Sequence, residues 1–131
     1  MSEIDFEIVS QIFQDYFRTD TISHCDIMKF EDGKVFLIEE TVYINKNLLD
    51  KNVYQNELSE IVKKMWGTYS ILIWYLDYET FRKHKIFILK AEIESRFVKI
   101  LGKLIKDVRR FKNGAYLDIR FKDAGLTNIK D

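Results

Sequence analysis

The chain contains no proline, one cysteine, two histidines and five glycines among 131 residues, and its formal net charge is zero. The lone Cys25 excludes an internal disulfide and any cysteine-based zinc site held within one chain. No glycine-rich phosphate loop, GxSxG elbow, HExxH or CxxC pattern occurs, so the well-marked nucleotide-binding and hydrolytic classes find no support. The longest nearly uncharged apolar run, Met65 to Leu76, is too short to cross a bilayer, and no charged leader precedes an apolar stretch. The expectation is a soluble, cytoplasmic protein with no membrane partner. Missing proline accompanies AT-leaning coding sequence rich in Lys and Ile, a composition found in small viral and mobile-element proteins.

What is present is apolar mass. Hydrophobic residues make up 47% and aromatics 15% of the chain, far above a disordered segment, so one packed domain is expected over residues 1–122 with a flexible tail at 123–131. The zero net charge conceals a division. Residues 1–65 carry seven Lys or Arg against thirteen Asp or Glu, and residues 66–131 carry fourteen against eight. A localised field of this kind attracts polyanions even on a neutral protein.

Periodicity supplies the elements. Ser2 and Asp5 are spaced as a capping box ahead of an amphipathic helix carrying Ile4, Ile8, Val9, Ile12, Phe13, Tyr16 and Phe17. His24 to Phe30 and Val35 to Ile44 read as antiparallel strands joined through Asp32-Gly33, which supplies a type I′ turn. A polar connection follows, with a helical turn at Leu48 and Leu49, then a helix from about Gln55 that Gly67 ends. Thr68 to Tyr78 is apolar on both alternating sets and reads as a central strand. His84 to Glu94 alternates as a strand, the alternative being one long helix over 84–112. Ser95 to Lys112 is a basic amphipathic helix with Ser95 as its N-cap, and Ala115 to Lys122 a last strand. The expected fold is α+β, a largely antiparallel mixed sheet with helices packed on it, in the order α-β-β-α-β-β-α-β.

The clearest binding feature is the outer face of the basic helix. Arg96, Lys99, Lys103, Lys106 and Arg110 gather opposite its apolar side, with Arg82, Lys83 and Lys85 just upstream. Such a face fits an anionic partner, nucleic acid included, or the acidic half of a second copy. No catalytic residue, metal ligand or cofactor is assigned. His24 and Cys25 fall on opposite faces of one strand and cannot converge as nucleophile and base from that element. A metal set drawn from His24, Asp26, Glu39 or Glu40 is available in composition, but carboxylates are expected by chance in so acidic a hairpin. Glu40 stands in phase with Phe36, Ile38, Val42 and Ile44, where a bulge or a change of phase relieves an otherwise unpaired inward carboxylate.

Two family comparisons arise from particular segments. Asp77 through Ile86-Phe87-Ile88-Leu89-Lys90 resembles the restriction-type nuclease core, in which an Asp on one strand precedes a carboxylate and a Lys two residues apart on the next. Here Ile88 occupies the second carboxylate's place, and Glu92 would have to substitute. The alternation of helices and strands is also similar to that of small dimeric secretion-system chaperones. The leading expectation is a non-catalytic binding or adaptor module, a homodimer or the partner of another protein. Nucleic-acid binding through the basic helix comes second and a metal-dependent nuclease third.

Overall fold

The computed structural model describes residues 2–112 and 117–123, and shows an α+β fold with one mixed sheet. Its strands are β1 (Ser2–Asp5), β2 (Ile27–Glu31), β3 (Lys34–Ile44), β4 (His84–Ile93) and β5 (Asp118–Asp123), and its helices are α1 (Phe6–Phe17), α2 (Lys51–Tyr75), α3 (Tyr78–Phe81) and α4 (Val98–Arg110). The strands lie side by side in chain order. β1, β2 and β3 pair antiparallel, whereas β3, β4 and β5 run parallel. The sheet is thus evenly mixed rather than largely antiparallel.

The β2–β3 turn forms as its sequence demands, with Asp32 and Gly33 both at positive φ, 51° and 70°. Parallel strands need crossovers, and α2 and α4 provide them. Successive right-handed crossovers moving in one direction along the sheet put both helices on the same face. The third long helix, α1, packs on α2 and joins that layer. Across the sheet, the row Ile4, Met28, Leu37, Phe87, Ile119 points into the helices and forms the core with Leu72, Leu101 and Leu104. The neighbouring row Asp5, Ile27, Ile38, Ile88, Arg120 points the other way, onto a face without a helix.

Several expectations are corrected. The strand read over 68–78 is the C-terminal part of α2, and the chain gains a β-strand before its first helix, so the order is β-α-β-β-α-α-β-α-β. The helical period never broke at Gly67, because buried Leu58, Ile61, Met65, Thr68 and Leu72 continue in steps of three and four. Gly67 is there for contact. A Cβ at that position would stand 1.8 Å from the Ser23 carbonyl oxygen, so only glycine lets the segment before β2 cross the helix. Asp5 is the N-cap of α1, accepting from the Glu7 amide, while Ser2 belongs to β1. Ser95 lies in a 3-10 turn, Ser95–Phe97, whose N-cap is Glu94, and the long-helix alternative over 84–112 is overturned by β4. The helical turn expected near Leu48 is the 3-10 turn Lys46–Leu49. Of the expected tail, residues 124–131 lie outside the described residues.

Candidate functional site

The basic residues expected to form a site do not share one surface. Lys85 is wholly buried on the helix side of β4. Its ammonium bonds to the carbonyls of Phe81 and Lys83 and lies 3.9 Å from the centre of the Phe81 ring, and burial holds its pKa below the usual lysine value. Arg82 caps α3, 3.7 Å from Glu79, with its guanidinium over the Tyr78 ring. Lys83 is exposed in the bend before β4. Arg96 turns back to Glu94 and over Phe97. The remaining four do form a stripe, exposed along α4: Lys99, Lys103, Lys106 and Arg110. Lys103 lies 4.3 Å from the Tyr54 ring centre and Arg110 3.8 Å from Asp107, whereas Lys99 and Lys106 have no hydrogen-bond or ion-pair partner among the described residues. Asp107, the single acid of α4, is further occupied by the Tyr54 hydroxyl, which donates to it at 2.5 Å.

The nuclease-like set at Asp77 and Lys90 is also dispersed. Asp77 is the N-cap of α3, accepting from the Thr80 amide at 2.7 Å, and Lys90 reaches Glu40 at 3.4 Å on the helix-free face.

A different constellation is assembled where β2, β3, α1 and α2 meet. Asp26 precedes β2. Its amide donates to the Ile38 carbonyl (2.9 Å), its carbonyl accepts from the Phe6 amide (2.8 Å), and its carboxylate accepts from the Glu40 amide (2.7 Å). That last bond draws the β3 backbone out of register, and a bulge lies between Glu39 and Val42. The bulge changes the phase of β3. Phe36, Ile38 and Glu40 face away from the helices, whereas Val42 and Ile44 are in the core with Val35 and Leu37. The inward carboxylate is therefore Glu39.

Glu39 is 4% exposed. One oxygen meets the Lys64 ammonium at 2.5 Å, and the other, Oε1, is buried without a hydrogen-bond partner among the described residues. Burial pushes its pKa up to about 7 in spite of Lys64, and the neighbouring Asp26 carboxyl adds to the rise. Lys64 loses hydration here, yet Glu39 holds its pKa above the ordinary lysine value. Beside this pair Cys25 is buried, its amide bonded to Thr68 Oγ1 and its thiol pushed up to about 12 by burial, so it is an inert core residue.

Above Asp26 opens a pocket walled by Glu3, Asp5, Glu7, His24, Ile27 and Glu40. His24 is clamped, with Nδ1 2.6 Å from the Cys25 carbonyl and Nε2 2.7 Å from Glu7. A carbonyl can only accept, so Nδ1 carries a proton. Asp26 thus joins an open acidic pocket to a buried, incompletely satisfied carboxylate. Among the described residues no three His, Cys, Asp or Glu side chains stand close enough together to hold a metal ion as they are placed.

The sequence signal for this arrangement was the Glu-Glu pair closing an alternating run, with Asp26 at the head of the partner strand. Lys64 gave none, since it comes from a helix 25 residues further on. No protein-family model, curated protein or solved structure matches the chain.

Proposed function

We propose that this protein is a divalent-cation-dependent phosphodiester hydrolase acting on nucleic acid, with its centre at Asp26 and Glu39. The observation that carries the reading is the buried Glu39 oxygen Oε1, which meets no donor among the described residues and lies against the carboxyl of Asp26, itself a lining residue of the acidic pocket. Two carboxyls forced together favour either a shared proton or a cation. The donor set is all oxygen, which suits Mg²⁺ or Mn²⁺. Asp26 and Glu39 would hold such an ion, with a further carboxylate drawn from Glu7 or Glu40 by side-chain rotation. A cation bound there supplies Lewis-acid polarisation of a phosphoryl oxygen and a more acidic water. Lys64 positions Glu39 and keeps a positive charge beside it. Nucleic acid is favoured over a small phosphodiester because the α4 stripe offers a polyanion a second surface.

Calorimetric titration of the full chain with Mn²⁺ and Mg²⁺, beside cleavage assays on single- and double-stranded DNA and RNA, tests this. One cation is expected to bind, about tenfold or more weakly in Asp26→Asn and in Glu39→Gln, with cleavage lost in both. If the folded wild-type protein takes up neither ion and cuts no substrate, the reading fails.

A further inference from the structure

Helix α1 is apolar on two sides. Val9 and Phe13 pack toward α2 and the core, but Ile8, Ile12 and Tyr16 form a second, outward ridge at steps of four, 59%, 45% and 69% exposed. The sequence grouped these three with Val9 and Phe13 in one apolar set, whereas the buried residues of α1 are Phe6, Val9 and Ser10. Tyr16 leans on Trp74, their ring centres 5.1 Å apart, so the ridge broadens onto the end of α2, where Ile73 is 59% exposed. A contiguous exposed apolar surface of this kind marks an interaction site.

We infer that this ridge is the interface of a symmetric homodimer in which α1 packs antiparallel against α1 of a second copy. The ridge is its own complement. A two-fold axis through Ile12 sets Ile12 against its copy and Ile8 against the partner's Tyr16, which is the isologous contact a two-fold requires. The ends of the helix agree with this direction. Asp5 lies at its N-terminus, and Arg18, at the C-cap, has no ion-pair partner among the described residues. Antiparallel packing brings each acidic end beside the other chain's Arg18 and also opposes the helix dipoles favourably. A lipid surface fits poorly, because the residues flanking the ridge are Glu7, Gln11 and Asp15 rather than the Lys and Arg an anionic bilayer attracts.

The inference is independent of the proposed hydrolytic centre, and it is tested on the full chain without reference to activity. Sedimentation velocity should report a dimer for the wild type and a monomer for Ile12→Glu and for Ile8→Glu, both exposed positions whose folding circular dichroism verifies. Ile12→Cys should form an intermolecular disulfide across the axis under mild oxidation, while Ile8→Cys, facing Tyr16, should cross-link far less. Cys25 is buried and does not compete. A monomeric wild type, or a dimer that survives both glutamate substitutions, overturns the inference.

Discussion

Glu39 sits where ionisation is expensive. Its folded pKa of about 7 exceeds the ordinary 4.5, so the folded chain binds its proton more tightly than the unfolded chain does. The contribution to stability is fully present below the unfolded value and is lost as pH rises through the folded one. A displacement of this size corresponds to roughly 3 kcal/mol at most. In the presence of a chelator, the thermal midpoint of the wild type should carry a component that falls between about pH 4.5 and pH 7. Glu39→Gln cannot ionise and should lose that component, so comparing the two melting profiles checks the assignment; superimposable profiles would show that the carboxyl is better solvated than its surroundings indicate. The same residue shows why the site was hidden in the sequence. Alternation along β3 set Glu40 in phase with Val42 and Ile44 and called for a bulge or a change of phase there; the bulge is present, beside the Asp26 carboxylate on the Glu40 amide, and it leaves Glu39 as the inward carboxylate. Local alternation showed that the phase breaks near Glu40 but not which carboxylate the break turns inward, because the place of a bulge depends on partners from other strands.

At the scale of elements, legibility followed how local each cause is. The Asp32-Gly33 turn and the face of α4 were readable because a turn's φ angles and a helix's period are set by adjacent residues. The end of α2 was not. Its Ile71-Leu72-Ile73-Trp74-Tyr75 stretch has strand-like composition, and Gly67 resembles a helix stop, but tertiary packing decided both. The two glycines at interior positions of long helices, Gly67 in α2 and Gly102 in α4, separate these roles. A methyl added at Gly67 meets the Ser23 carbonyl oxygen at 1.8 Å and Ile22 Cγ2 at 2.9 Å, whereas at Gly102 it meets nothing within 4 Å. Gly67→Ala should therefore destabilise by about 1–3 kcal/mol or more, as overpacked sites do. Gly102→Ala should stabilise by about 0.5–1 kcal/mol, the ordinary helix-interior difference between the two residues. Urea denaturation of both variants measures the pair, and two effects of the same sign would contradict the crossing of the 22–23 segment over α2.

In the whole molecule, the charge division of the sequence becomes a division in space because the sheet follows chain order. The acidic half builds β1 to β3 and the pocket, and the basic half builds β4, β5 and the α4 stripe over the other end. The halves do not neutralise one another, since among the described residues Lys90 to Glu40 is the one ion pair that joins them. An acidic pocket alone repels a polyanion, so under the proposed function the initial attraction would have to come from elsewhere on the surface, and the α4 stripe is the surface proposed for it. With Asp107 engaged by Tyr54 and Arg110, the stripe keeps three cations, Lys99, Lys103 and Lys106, without an ion-pair partner among the described residues. Neutralising about three phosphates releases their counterions, which gives a slope of roughly −2 to −3 when log affinity is plotted against log salt. Binding of a fluorescent oligonucleotide in the presence of chelator, which prevents cleavage, should show that slope in the wild type. Lys99→Ala combined with Lys106→Ala should reduce its magnitude by about 2 while leaving cation uptake at Asp26 and Glu39 intact. An unchanged slope in the double variant would mean that the phosphates are held by another part of the surface and that the α4 stripe only solvates the helix.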